Sequence, residues 1–107
     1  MDDNFTCIYK ILRALERSLD YEEFDEEQIS PQVLGITKNR WEKYMEMMSD
    51  AGYIKGIIIT EYVTGEKIVK VENIAITIKG LEYLTENSIM QRIYKAAKGI
   101  KEITPGL

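Results

Sequence analysis

The strongest constraint on the fold is a short helix that is joined to a longer helix by a single tight turn. Ser30-Pro31 has the form of a capped helix start, because serine accepts a hydrogen bond from a free N–H and proline fits the first helical position. Gly35 ends that short helix, and Thr37 opens a longer one that ends at Gly52, a residue suited to a left-handed cap. A short helix, a turn and a longer helix predict a helix-turn-helix with the longer helix in the recognition position.

An amphipathic helix precedes this pair. Apolar residues recur at three- and four-residue spacing, which predicts a helix from about Asn4 to Leu19 with one face towards a core. Its candidate caps are Asp2, Asp3 and Asn4. The predicted core-facing stripe consists of Phe5, Ile8, Leu12, Leu15 and Leu19, with Ile11 beside them.

After the helix pair, the pattern changes to that of a β-hairpin. Residues 53–63 are rich in β-branched and aromatic side chains, and residues 67–71 alternate in part, with two lysines among three β-branched residues. Thr64-Gly65 between them predicts a turn. A hairpin in this place is the wing of a winged helix.

Two further helices are predicted beyond the hairpin. Thr77 is the candidate cap of the first, and its predicted inward residues are Ile78, Leu81 and Leu84. The second covers about residues 88–103 and carries an apolar series, Ile89, Ile93, Ala97 and Ile100. Basic residues lie beside that series at every third position, namely Arg92, Lys95, Lys98 and Lys101.

These elements together predict an α+β fold of the winged helix-turn-helix class. It has a three-helix core, a β-hairpin wing and one or two additional carboxy-terminal helices. A chain of 107 residues has room for one hydrophobic core, so residues 1–107 are expected to form a single domain. Within it, residues 88–103 would be an extension or a dimerisation element.

Composition argues against most enzyme classes. The chain has no histidine, which removes Ser-His-Asp and Cys-His nucleophiles, histidine metal sites and the usual proton shuttle near neutral pH. Cys7 is the only cysteine, so no internal disulfide and no thiolate metal cage can form. No apolar stretch approaches the roughly 20 residues that span a bilayer. We therefore expect a non-enzymatic, cytoplasmic protein without metal, cofactor or membrane segment.

Charge is distributed unevenly along the chain. Residues 1–36 contain nine acids and three bases, residues 37–52 contain three of each, and the rest contains eight bases and six acids. The first third therefore carries a net charge of -6, whereas the whole chain has a formal net charge of -4. An acidic domain is a poor electrostatic match for nucleic acid, although a local basic face can still bind it.

Three blocks of sequence resemble the YjcQ-like family of winged-helix proteins. They are VLGITKNRWEKYMEMMSDAGYIKGI over residues 33–57, ITIKGLEYLTENS over residues 76–88, and YKAAKGIKEI over residues 94–103. The first two blocks are typical of many winged helices, whereas the order and spacing of all three is similar to this family. The resemblance implies a phage-associated DNA-binding or regulatory protein of Gram-positive bacteria, without a catalytic motif.

The start of the third helix is the predicted nucleic-acid site. In a major groove, Arg40 could pair with guanine and Asn39 with adenine, while lysines contact phosphate. The alternative is that these are ordinary exposed residues, since Glu42, Glu46 and Asp50 on the same helix would repel phosphate. The predicted site residues are Thr37, Lys38, Asn39, Arg40 and Lys43 on the helix, with Lys67 and Lys70 on the wing.

Several other features favour a structural interpretation. At their spacing, two of the three methionines at positions 45, 47 and 48 are expected to fill the core around Trp41, which is itself expected to be a core residue. Cys7 adjoins the apolar stripe and is expected to be a small buried hydrophobe. The acidic run at residues 22–27 lacks the glycine and alternating ligands of a calcium loop, so a solvated connection is expected.

Two functions of different class remain open from the sequence. The first is a DNA-binding or transcriptional regulatory accessory, a possible homodimer that associates through Ile89, Ile93, Ala97 and Ile100 to match two half-sites. The second is a protein-protein interaction module that uses its acidic first third or its terminal helix to bind another protein.

Overall fold

The computed structural model describes residues 4–87 together with Arg92 and Ala96. In that part of the chain, four α-helices and one antiparallel β-hairpin form the α+β layout of a winged helix-turn-helix, so the predicted fold class is confirmed. The elements in chain order are α1 (Asn4–Arg17), α2 (Pro31–Leu34), α3 (Lys38–Asp50), β1 (Ile54–Glu61), β2 (Lys67–Ile76) and α4 (Ile78–Glu86). Two short 3-10 turns, Ser18–Asp20 and Glu26–Ile29, connect α1 with α2.

The predicted boundaries of α2 and α3 are confirmed by their caps. The hydroxyls of Ser30 and Thr37 each accept a hydrogen bond from the backbone N–H three residues later, at 3.2 and 3.1 Å. Gly35 and Gly52 adopt φ values of 72° and 83°, in the left-handed region that favours glycine. Caps of this kind each contribute about 1 kcal/mol, so local sequence fixes where α2 and α3 begin.

The hydrophobic core lies between α1, α3 and the base of the hairpin. It contains Ile11, Leu12 and Leu15 from α1 and Tyr44, Met45 and Met48 from α3, together with residues of the strands, the loops and α4. Its buried apolar members are Cys7, Tyr9, Ile11, Leu12, Ala14, Leu15, Ile29, Leu34, Tyr44, Met45, Met48, Ile54, Ile74, Ile76 and Leu84.

The predicted core stripe of α1 is wrong at both ends, where Phe5 and Leu19 are exposed. The helix ends at Arg17, where the Ser18 hydroxyl donates to the carbonyl of Leu15 at 2.5 Å, and the chain then turns away. Leu19 therefore leaves the helical face before it reaches the core. At the other end, Phe5 lies on the first turn of α1, beside an open groove against α3.

The orientation of α4 also differs from the prediction. Gly80 is buried, and a Cβ added there would lie 2.4 Å from the carbonyl oxygen of Tyr53. This close approach turns the Gly80 side of α4 towards the start of the hairpin, with Leu84 one turn further along the same face. Ile78, predicted to point inwards, is two residues from Gly80 and is 77% exposed.

The α4 cap connects this helix to the end of α3. The Thr77 hydroxyl accepts from the N–H of Gly80 at 3.1 Å and donates to the carbonyl of Gly52 at 2.5 Å. One side chain therefore satisfies a helix start and a carbonyl just past α3. The prediction of Thr77 as a cap is confirmed.

The hairpin is longer than the sequence pattern indicated. β1 pairs with β2 from Ile54 opposite Ile76 to Glu61 opposite Lys67, so β2 continues five residues beyond the predicted Val71. The register shifts beside Gly56, a bulge that interrupts the alternation from which the strand was predicted.

Gly56 permits this bulge by its missing side chain. Its φ is 92°, and a Cβ there would lie 2.6 Å from the carbonyl oxygen of Glu72 and 2.7 Å from that of Asn73. Beyond the bulge, Ile57, Val69 and Val71 pack against the core. The bulge therefore divides the hairpin into a part that closes the base of the domain and a part that forms the wing.

Candidate nucleic-acid interface

The first half of α3 presents polar and basic side chains on an exposed surface. Lys38, Asn39 and Lys43 are exposed, and the first turn contains no acidic residue. The two lysines have no ion pair among the described residues. The Thr37 hydroxyl is occupied by the helix cap, so this residue offers only part of its hydrogen-bonding capacity to a ligand. Three of the predicted site residues, Lys38, Asn39 and Lys43, are therefore exposed to solvent in the first half of α3.

Arg40 is held by side chains from two helices. Its Nη1 donates to Oδ1 of Asn4 at 2.8 Å and to the hydroxyl of Tyr44 at 3.2 Å. The Tyr44 hydroxyl also donates to Asn4, and the guanidinium carbon lies 5.9 Å from the Tyr44 ring centroid. The hydrogen bond with Tyr44 raises the pKa of Arg40, whose guanidinium is charged at neutral pH with or without this contact. Bidentate pairing with guanine, which the sequence predicts for Arg40, would require at least part of this network to rearrange.

An open groove lies between the start of α1 and one face of α3. It has a volume of about 500 Å³. Phe5 and Met47, 61% and 51% exposed, contribute apolar surface, while Arg40 and Lys43 contribute positive charge. The side chains that line it are those of Asn4, Phe5, Ile8, Thr37, Asn39, Arg40, Lys43, Tyr44 and Met47, with no carboxylate among them. We call this feature the α1–α3 groove.

The two wing lysines lie in different surroundings. Lys67 Nζ forms an ion pair of 3.3 Å with Glu46 Oε2 of α3, which places the distal part of β2 against the recognition helix. Lys70 is exposed and three residues away along the strand, so it lies on the opposite face of the hairpin. The structure therefore brings Lys67 to the α3 side but does not bring the two lysines together.

Acidic side chains of α3 lie on the side of the helix that faces the wing. Glu46 is the partner of Lys67, and Glu42 precedes it by one turn. The cations Arg40 and Lys43 line the α1–α3 groove instead. The folded helix therefore keeps Arg40 and Lys43 apart from Glu46. Lys38 does not share this separation, because it precedes Glu42 by one turn on the same side of α3.

The remaining predicted site residues fall outside the described part of the chain. Ile89, Ile93, Ala97 and Ile100 were predicted to form a dimer contact, and this prediction stays untested. Arg92, which belongs to the basic series beside them, is exposed.

The structural interpretations of other sequence features are confirmed. Met45 and Met48 are buried whereas Met47 is exposed, as expected for two core methionines out of three. Trp41 packs against the core, and its Nε1 donates to the carbonyl of Ile29 at 2.7 Å. Cys7 is 2% exposed among core residues.

The acidic run forms an exposed connection. Glu22, Glu23 and Glu26 line a shallow groove with Tyr21 and residues 73–75 of β2. Within residues 4–87 there is no cluster of three or more side chains suited to hold a metal ion. The described helices also include none with the length and apolar content needed to cross a bilayer.

Two residues of the site could not be found by sequence reasoning. Asn4 was predicted to be a helix cap and Phe5 a core residue, but both line the α1–α3 groove with residues of α3. Asn4 and Tyr44 are separated by 40 positions, and no local pattern signals a contact over that distance. The i, i+4 spacing of Arg40 and Tyr44 was the one available signal, because such residues are neighbours on a helix.

Comparison with known proteins identifies the family but no characterised relative. Neither the curated proteins nor the solved structures gave a match to this chain. The family model described as YjcQ protein matches residues 9–103, which includes α2, α3, the hairpin and α4. Because this match covers most of the 107 residues, the chain belongs to the YjcQ protein family.

Proposed function

We propose that this protein is a non-enzymatic DNA-binding domain that contacts duplex DNA with the first half of α3. The observation that carries the proposal is the exposure of Lys38 and Lys43 on either side of Asn39, in a helix whose first turn has no acid. A helix-turn-helix reads the major groove with the amino-terminal residues of its second helix, where these residues lie. We further propose that it acts as a transcriptional regulatory accessory protein of the kind that prophages encode.

The roles of the three residues follow from their chemistry. Lys38 and Lys43 would contact phosphates and supply affinity that does not depend on sequence. Asn39 lies between them and could hydrogen-bond to the N6 and N7 atoms of adenine, which would supply sequence preference. Arg40 is engaged with Asn4 and Tyr44, so we assign it the positioning of α1 against α3 rather than base recognition.

The position of the acidic side chains of the 22–26 segment is compatible with this proposal. The exposed carboxylates of the 22–26 segment line a groove with β2, and none of them lines the groove beside the start of α3. Beyond about 10 Å, charges are largely screened at moderate salt. An acidic net charge therefore lowers the overall affinity for DNA without removing a local contact site.

Titration of a fluorescently labelled mixed-sequence duplex at low salt tests the proposal. Lys38→Ala and Lys43→Ala should each weaken binding by about fivefold to tenfold, a typical effect of removing one phosphate contact. Lys55→Ala removes an exposed cation of β1 outside the site and should leave the affinity close to that of the wild type. Equal weakening in all three variants, or no binding of the duplex, would contradict the assignment.

A second candidate function rests on the acidic connection. Tyr21 is exposed beside Glu22, Glu23 and Glu26, and a basic partner protein could bind there. Charge reversal of Glu22 and Glu23 would abolish such an interaction and would strengthen duplex binding slightly by removing repulsion. The two candidates are therefore separated by opposite responses to the same variant.

A further inference from the structure

We propose that the α1–α3 groove binds an acidic amphipathic helix of a partner protein. This goes beyond DNA binding and does not depend on it. The first observation is the pair of large apolar side chains, Phe5 and Met47, that remain 61% and 51% exposed on the two helices lining one groove. Ile8 lines the same groove, and together the three side chains form its apolar strip, with Arg40 and Lys43 as the cations of the lining.

The geometry of the strip fits a helix rather than a flat surface. Five α3 residues line it, and four of them, Arg40, Lys43, Tyr44 and Met47, stand at positions i, i+3, i+4 and i+7, while Asn39 precedes the series. They therefore occupy one face over two turns, about 10 Å of helix axis. A partner helix of similar length could place its own i, i+3, i+4 and i+7 side chains along this face, the usual arrangement of helix-in-groove recognition.

Charge complementarity selects an acidic partner. Lys43 is exposed without an ion pair among the described residues, Arg40 adds a second positive charge, and no lining residue is a carboxylate. A glutamate-rich face beside apolar anchors would meet both features of the groove. Duplex DNA satisfies only the charge, because Phe5 and Met47 would face a largely polar surface.

The chain's own carboxy-terminal segment does not match in charge. Residues 88–107 contain four basic side chains and one acidic one. Placing this segment in a groove that already carries Arg40 and Lys43 would bring like charges together. The acidic occupant that we propose therefore comes from another protein.

Binding of this partner and of DNA would exclude each other at Lys43 and Asn39. Both residues line the groove and also belong to the proposed DNA contact. Lys38 does not line the groove, and Met47 is not part of the DNA contact. These two residues separate the two activities experimentally.

The test is a titration of the ¹⁵N-labelled full chain with three synthetic peptides, followed by NMR. The first peptide is helical, with leucines at i, i+3, i+4 and i+7 and glutamates on its flanks. The second has the same composition with the leucines shuffled off one face, and the third has lysines in place of glutamates. We expect saturable shifts for the first peptide alone, concentrated on the first turn of α1 and on the exposed side of α3.

Variants of the protein then identify the groove. Phe5→Ala and Met47→Ala should each weaken binding of the first peptide by about tenfold, because anchors at the centre of an interface carry most of its affinity. Lys43→Glu should weaken that binding by more. Ile78→Ala removes an apolar side chain of α4 that is still more exposed than Phe5 and Met47, and it should have no effect. Lys38→Ala should weaken duplex binding but leave peptide binding unchanged, so failure of one proposal is distinguishable from failure of the other.

Several results would overturn the proposal. They are no binding of the first peptide up to millimolar concentration, equal binding of all three peptides, and shifts centred on the acidic 22–26 segment. A second copy of this chain is also an alternative occupant. In that case the wild type would sediment as a dimer and Met47→Ala as a monomer, and the acidic partner helix would be the wrong assignment.

Discussion

Asn4 and Arg40 are joined by a hydrogen bond of 2.8 Å across 36 positions of sequence. This contact fixes the first turn of α1 beside the start of α3. Tyr44 completes the arrangement by donating to Asn4 and accepting from Arg40. The three side chains set the width of the α1–α3 groove and orient the one arginine of α3 towards α1.

The first prediction concerns the stability of this network. Tyr44→Phe and Asn4→Ala should each lower the free energy of unfolding by about 1 kcal/mol, the usual net value of a hydrogen bond. The double variant should be destabilised by less than the sum of the two, because both changes remove parts of one network. Urea denaturation measures all three values.

Asn39→Ala provides the control for this network. Asn39 is an exposed asparagine one position before Arg40 and has no hydrogen bond to the described residues, so its replacement should change stability by less than about 0.5 kcal/mol. Strict additivity of Tyr44→Phe and Asn4→Ala would show that the side chains act independently.

The second prediction concerns the bulge in the hairpin. Gly56→Ala should destabilise the domain by more than about 3 kcal/mol, because the new Cβ would lie 2.6 Å from a backbone oxygen at a φ of 92°. Gly65→Ala is a matched control, since its φ is 87° but nothing lies within 4 Å. It should cost about 1 kcal/mol of backbone strain alone.

Thermal and urea unfolding of both glycine variants separates the two contributions. A similar destabilisation for Gly56→Ala and Gly65→Ala would mean that β2 can move away from β1, and that the close approach at the bulge does not constrain the hairpin.

The third prediction uses two methionines of α3. Met45→Ala should cost about 2–5 kcal/mol because it opens a cavity in the core, whereas Met47→Ala should change stability by less than about 0.5 kcal/mol. Urea titration at constant pH provides the comparison. A large destabilisation by Met47→Ala would place this side chain in the core and remove the apolar strip from the groove.

The caps explain why much of the fold could be predicted from sequence. Ser30, Thr37 and Thr77 bond to N–H groups three residues away, so the information for each helix start is local. The change from helical to alternating spacing likewise depends on neighbours in sequence. These local signals together predict the order of elements and the class of fold.

The errors arise where distant residues decide the structure. Ile78 is exposed because Gly80 approaches the Tyr53 carbonyl, and Phe5 is exposed because its turn of α1 borders a groove. Neither contact leaves a periodic pattern. The candidate site was predicted in part for the same reason, since the exposure of Lys38 and Lys43 follows from helix position but the restraint on Arg40 comes from α1.

The salt dependence of duplex binding is the sharpest test of the proposed contact between the start of α3 and the phosphates of DNA. The logarithm of the association constant should fall linearly with the logarithm of salt concentration. Replacing both Lys38 and Lys43 by alanine should reduce that slope by about 2, because each phosphate that a lysine no longer neutralises lowers it by nearly one.

The double variant Lys55→Ala with Lys79→Ala is the decisive control, because it changes the net charge equally at exposed positions away from the site. We expect a wild-type slope for this control and a reduced slope for the variant that lacks Lys38 and Lys43. Equal slopes for the two double variants, or no salt-dependent binding at all, would contradict it.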